Sequence, residues 1–452
     1  MPTSHRVSSS RRRRVVSLLV VGGLLVTSCG NSGDNAKPAT PTTAAEGISS
    51  ISGVPGVTDS EIHFAVLATG VNTPTGACIL ACYASGIKAY FAFRNSQGGV
   101  DGRQMVLSKV VDDELASNQV KAREILNAHD TFAVFSSPFL ASGWPDLTNA
   151  GVPIYTAVAN SPDAVGHDSI YPSPGVACIS CPNRTYAYAG KLAGATHVAS
   201  LGYGVNQASK DCVAGQVTSV EKYAPETGQQ VAYKNDDLPF GLPNGVGPEV
   251  TAMKDAGVDF IMTCLDLNGT KTLAQELKRQ GMGDVTMSHP NSYDPAFIAQ
   301  SGDLFEGDIV GVQVRPFEAN VGNTTLGDYL KWIKDTGGEP SETSAIAWVN
   351  ADLAYKGLLA AGPQFDQASV IKATNRITDF TGDGMIPPVD WSRQHEPPSQ
   401  DDLATHGPAQ QCYAYVRIHS GKFELVGDAD KPFYCWPGST YDWSDPVQTD
   451  FK

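Results

Sequence analysis

Glu61-Ile62-His63-Phe64-Ala65-Val66-Leu67-Ala68-Thr69-Gly70 is the stretch that decides the fold. Ile62, Phe64, Val66 and Leu67 make a short apolar run that halts at Thr69-Gly70. That is the pattern of a strand buried on both faces and the loop that leaves it. Downstream, Ile87, Tyr90 and Phe91 recur at helical spacing, and Gly98-Gly99 stops that helix because glycine accepts the left-handed cap conformation. Residues 105–111 read as the next strand. Ala122, Ile125 and Leu126 mark a helix, residues 132–135 a strand, a helix starts near Ser142, and residues 152–156 make another strand.

Residues 198–201, 231–233, 260–263 and 285–287 repeat the rhythm, with helical segments between. Alternating strand and helix predicts a parallel sheet covered on both faces. Two such series in 452 residues predict an α/β protein of two doubly wound lobes, because a single core does not grow to this size. In open α/β sheets, ligands sit beyond the carboxyl ends of the strands. The loops that begin at Thr69, Ser136, Ala157, Leu265 and Ser288 are therefore expected to face one shared cleft.

The composition, 41% hydrophobic and 17% charged, is that of a globular chain and excludes disorder throughout. The net charge is -15, and five of the 32 basic residues, Arg6 and Arg11 to Arg14, precede Cys29, where no acid occurs. Beyond that point 27 basic residues face 47 acidic ones, a net of about −20. Such a surface repels phosphate backbones, so no nucleic-acid partner is expected.

Arg11 to Arg14 are followed by an apolar run from Val15 to Val26, shorter than the roughly 20 residues of a spanning helix. Basic residues, a short apolar stretch and small residues read as an export signal, by either the general or the twin-arginine route. Val26-Thr27-Ser28-Cys29-Gly30 resembles the bacterial lipobox, in which the cysteine is acylated and becomes the first residue. Residues 1–28 are then a signal peptide and 29–54 a tether rich in Ser, Thr, Ala, Pro and Gly. The expected location is the extracytoplasmic face of the membrane, held by lipid on Cys29 alone.

Eight cysteines remain, an even number in an oxidising compartment, and disulfides are expected. Sequence leaves the pairing open. Proximity favours Cys78 with Cys82, Cys178 with Cys181 and Cys412 with Cys435, leaving Cys212 with Cys264. A zinc site built from the first four thiolates is the alternative, disfavoured because exported thiols oxidise.

Gly56-Val57-Thr58, Gly98-Gly99-Val100-Asp101-Gly102-Arg103 and Asp112-Asp113 resemble the type I periplasmic binding proteins, in particular the branched-chain amino acid receptors of ABC importers. Gly151-Val152-Pro153-Ile154, Asp255-Ala256-Gly257-Val258-Asp259 and a late helix over 344–361 extend the resemblance across roughly residues 56–425. No one motif is specific; their order and spacing behind a lipobox carry the match. The resemblance implies two lobes joined by three crossovers, near Val176, Val312 and His406, that close on a solute like a hinge. The first lobe is then 55–176 with 312–405. The second is 177–311 with 406–452, which includes a carboxyl extension stapled by Cys412 and Cys435. The resemblance also implies a small-molecule solute such as an amino acid, amide or related carboxylate, a membrane permease as partner, and a monomer.

Family members hold a carboxylate with Ser or Thr and backbone N–H groups of two first-lobe loops. Thr69, Ser137, Ser142, Gly143, Ala159 and Asn160 fall at such positions, although Ser142 also reads as a helix cap and Asn160 as a turn residue. The second lobe of amino acid binders supplies an acid and a tyrosine for the ammonium group. Here Met287-Ser288-His289-Pro290-Asn291-Ser292-Tyr293 has no carboxylate before Asp294. Asp266 is the substitute, with Tyr203, His289 and Asn291 beside it. Failing that, the ligand lacks an α-ammonium group. Phe139, Trp144 and Tyr203 are candidates to stack on an aromatic solute.

Asp379 to Asp390 partly imitates a calcium loop, but Pro387 and Pro388 block its exit helix and its last ligand is Asp rather than Glu. No phosphate loop, nucleophile elbow or His-Glu-x-x-His helix occurs. No catalytic residue, cofactor or metal is expected. A sensory receptor on the same fold, or a hydrolase built into the cleft, stays open as a rival function.

Overall fold

A computed structural model describes residues 50–71, 76–159, 161–205, 207–290, 292–397, 399, 411–438 and 440–452. Strand β1 (Glu61–Ala68) is the hub of the first sheet. Its side chains alternate between two cores. Phe64 and Val66 join one core with α1 (Leu80–Ser96), while Ala65 and Leu67 join another with α2 (Asn118–Ala128). Both faces are covered, which is why the run from Phe64 to Ala68 is apolar without interruption. β2 (Gln104–Asp112) flanks β1 on one side. β3 (Ala133–Ser137), β4 (Ile154–Thr156) and β5 (Ile170–Pro172) follow on the other, all parallel. Gly99 holds φ +70, and a Cβ there would lie 2.0 Å from the Arg103 carbonyl oxygen. The turn from α1 to β2 therefore requires glycine.

After α3 (Trp144–Asn149) and α4 (Ser161–Ala164), α5 (Arg184–Ala193) leads into the second sheet with β6 (His197–Tyr203), followed by α6 (Gln207–Lys222), α7 (Ala224–Thr227) and β7 (Gln230–Leu238). α8 (Gly247–Asp255), β8 (Phe260–Cys264), α9 (Leu267–Arg279), β9 (Thr286–Ser288), α10 (Pro295–Ser301) and β10 (Ile309–Val312) continue it. These five strands are parallel, in the order β10-β9-β8-β6-β7. The chain then returns to the first sheet. α11 (Leu326–Asp335), α12 (Glu342–Ala361) and α13 (Gln367–Thr374) form a layer in which α12 packs on α1. Gly86 of α1 makes this possible, since a Cβ there would sit 2.1 Å from the Ser344 carbonyl oxygen. Tyr90 Oη donates to Asp352 Oδ1 at 2.5 Å, and Arg94 reaches the same oxygen at 3.3 Å. A buried acid on α12 is thus neutralised from α1.

The second sheet is only mostly parallel. β11 (Cys412–His419) runs antiparallel beside β10, forms a hairpin with β12 (Lys422–Leu425) and pairs with β13 (Phe433–Cys435), which pairs with β14 (Val447–Thr449). The carboxyl extension is therefore part of the second sheet. It continues the sheet, with Tyr415 and Trp436 buried against its helices. β5, β10, β13 and β14 have three or four residues each and were not read from the sequence, whereas the equally short β4 and β9 were.

Disulfides join Cys78 to Cys82, Cys178 to Cys181, Cys212 to Cys264 and Cys412 to Cys435. Thiolates for a zinc site are thereby consumed. In the calcium-like stretch, Phe380 pairs with Val389, and Asp383 binds Arg94 and Lys356. No helix among the described residues is long and apolar enough to cross a membrane. Cys29, Asn160, Asn291 and the crossover near His406 lie outside the described residues.

Candidate functional site

Both sheets point the carboxyl ends of their parallel strands at one cavity of about 160 Å³. A water needs about 10–15 Å³ on this scale, so the space suits a small solute and excludes a polymer. From the first sheet come Ala77, Cys78 and Ile79 after β1, Ser137 to Phe139 at the end of β3, and Ala157 and Val158 after β4. From the second come Leu267 at the start of α9, Tyr293 and Asp294 before α10, and Gln313 after β10. The start of α12 adds Ser341, Glu342, Thr343 and Ile346. All five loops read from the sequence as facing one cleft contribute a lining residue.

Two carboxyl side chains border the cavity, and no Lys, Arg or His does among the described residues. Asp294 Oδ1 caps α10, accepting the N–H groups of Ala296 at 2.9 Å and Phe297 at 3.0 Å. Glu342 is 6% exposed and accepts the Gln313 N–H at 3.0 Å. Burial pushes its carboxyl up to about 7, against which the single N–H bond pulls only weakly. Tyr293 Oη donates to Glu318 Oε2 at 2.6 Å and accepts from the Phe317 N–H at 2.6 Å. Burial raises both the tyrosine and Glu318. This pair fixes the loop that carries Asp294.

Of the residues singled out from the sequence, the structure brings Ser137 to the cavity wall. Thr69 is fully buried behind it, where its hydroxyl accepts the Phe139 N–H at 2.8 Å and so holds the wall in place. Ser142 and Gly143 stand away from the cavity. Ser142 is exposed and makes no cap, and Gly143 donates its N–H to Asn118 Oδ1 at 2.8 Å. Ala159 is 2% exposed and turned into the core, while its neighbours Ala157 and Val158 reach the cavity. Asp266 is committed to structure. Its Oδ1 accepts the Gly269 N–H at 2.9 Å as the cap of α9, and its Oδ2 accepts from Tyr203 Oη at 2.8 Å. His289 is fully buried, pairs with Asp308 at 3.3 Å and packs on Phe305. Trp144 donates to Ser136 Oγ at 2.9 Å within the first lobe.

The sequence profile described as "Periplasmic binding protein" matches residues 66–422, most of the chain. The chain belongs to the periplasmic binding protein family. That is a family of solute-binding proteins rather than enzymes. Solved structures agree on the fold. A branched-chain amino acid ABC transporter protein from Thermus thermophilus with bound valine is 16% identical, with TM-score 0.64 over 82% of this chain and 96% of that one. A solute-binding protein from R. palustris in complex with 4-hydroxybenzoate is 18% identical, with TM-score 0.63 over 81% and 96%. A fatty acid ABC transporter substrate-binding protein from Thermomonospora curvata is 17% identical, with TM-score 0.63 over 88% and 100%. No curated protein matches the chain at a significant level.

In this periplasmic binding protein, sequence reasoning missed Asp294, Gln313 and Glu342. Asp294 was in view, but only as the acid that comes too late in its loop. Its entry follows from the tight Ser292–Asp294 turn, in which the Asp294 N–H bonds the Ser292 carbonyl at 2.8 Å. Glu342 looks like an ordinary acid in a first helical turn, and nothing local separates a cap acid from a cavity acid. The two lobes also touch beside the cavity. Phe139 meets Phe240 with ring centroids 6.0 Å apart, and Phe240 meets Tyr203 at 5.0 Å.

Proposed function

We propose that this chain is the solute receptor of an ABC importer, anchored by lipid on Cys29, which closes its two lobes on a small organic solute and hands it to a membrane permease. The observation that carries the reading is the cavity itself. Strand-end loops of two separate sheets and the start of α12 surround a space of solute size. Similar proteins hold valine or 4-hydroxybenzoate, which indicates the size of guest. A thermal-shift screen of amino acids, amides, amines, urea-like compounds and aromatic acids tests it. A ligand at a hundred times its dissociation constant adds about 2.7 kcal/mol of stability. A screen in which no small solute shifts the melting temperature sinks the proposal. For the anchor, Cys29→Ser is expected to release the protein from the membrane fraction and to abolish lipid labelling. Labelling that persists overturns that part alone.

A further inference from the structure

We infer that the interlobe cavity selects its solute by a cationic head, an amidinium or ammonium group on an apolar body, and that Glu342 of α12 is the residue that reads it. This rests on the receptor reading above and adds the class of solute.

Glu342 borders the cavity with its side chain almost wholly buried. Its one hydrogen-bond donor among the described residues is the Gln313 N–H, and no basic side chain there pairs with it. A buried carboxylate without a countercharge is costly, and a cation entering the cavity supplies what the fold withholds. The second acid stands beside it, since the Glu342 N–H donates to the Tyr293 carbonyl at 3.1 Å, the residue before Asp294. The remaining walls are largely apolar, with Ile79, Phe139, Val158, Leu267 and Ile346. A head of positive charge and an apolar body match this lining. A carboxylate head meets two acids and no basic side chain among the described residues.

The groups that face Glu342 do not supply a counterion either. Tyr293 and Asp294 approach from the second sheet's loop, Tyr413 from β11, and Tyr329 of α11 donates to the Ser341 carbonyl just before it. Burial pushes Glu342 up to about 7, so a cationic solute competes with a proton below that pH. Affinity then rises as pH climbs through 7 and levels above it, and binding at pH 6 releases close to one proton.

The test uses benzamidine, benzamide and benzoate, which share one ring and differ in the charge of the head, titrated calorimetrically at pH 6 and pH 8. Benzamidine is expected to bind about tenfold more tightly at pH 8, with benzamide and benzoate weaker. Glu342→Gln is expected to lower its affinity at pH 8 at least tenfold and to flatten the pH dependence. Glu342→Asp, which keeps the charge on a shorter arm, is expected to weaken binding and keep the pH dependence. Benzoate or benzamide binding as well as benzamidine overturns the inference, and so does benzamidine binding that ignores Glu342→Gln. If none of the three binds while the wider screen yields an anionic or neutral solute, the inference falls and the receptor reading stands. A cation from that screen that is indifferent to Glu342→Gln also overturns it. A screen with no ligand at all sinks both.

Discussion

Glu342 Oε1 accepts the Gln313 N–H at 3.0 Å, which ties an acid at the start of α12 to the segment that leaves β10. This bond joins two of the stretches that border the cavity, and it holds a carboxyl that prefers its proton. The group is raised from 4.5 to about 7 by burial. Between those values the folded protein keeps a proton that the unfolded chain gives up. Stability from this group is therefore full below pH 4.5, falls as pH rises towards 7, and stays lost above. At about 1.4 kcal/mol per unit the loss is on the order of 3 kcal/mol. Glu342→Gln is expected to raise the urea midpoint relative to the native protein at pH 8 and to leave it nearly unchanged at pH 4. Parallel pH curves for the two proteins contradict the assignment.

Asp266 spends both oxygens on the fold, one on the α9 cap and one on Tyr203. Asp266→Ala removes the cap and leaves the tyrosine hydroxyl without its acceptor, a loss of about 1–2 kcal/mol. The expected outcome is a lower denaturation midpoint with solute affinity kept within about threefold, since Asp266 does not border the cavity. Affinity that collapses while the midpoint holds returns Asp266 to the binding site.

Phe139 and Phe240 meet across the cleft beside the cavity. An aromatic pair contributes about 0.5–1.5 kcal/mol beyond its buried area, which is roughly a two- to tenfold change in a binding constant. Phe240→Ala, which spares the cavity wall, is expected to speed solute release by about that factor in stopped-flow measurements, with the association rate little changed. An unchanged release rate means that the contact does not help hold the lobes shut.

The loops were legible where the chemistry was not. The strand from Glu61 to Ala68 is apolar on both faces from Phe64 onward, so its burial and the loop after it follow from local pattern. The same logic located the ends of β3, β4, β8 and β9. Within those loops the side chains went elsewhere. Asp266 met the Gly269 N–H three residues on and was drawn into structure, and the Gly143 N–H was taken by the Asn118 side chain 25 residues before it. Glu342 and Gln313 are 29 residues apart, and their pairing appears only once α12 has folded back onto the first lobe. Short strands such as β5 and β10 are likewise defined by neighbours rather than by their own residues.

The sequence by itself determined the alternation of strand and helix, the two lobes and the loops that meet between them. Hydrophobic period and glycine stops are local properties that survive any detail of packing. Only the tertiary structure decided which side chains face the cavity. Whether a polar group caps a helix, supports a loop or meets a guest depends on partners brought from distant segments, and a carboxyl buried without a counterion exists only after the chain has closed around it.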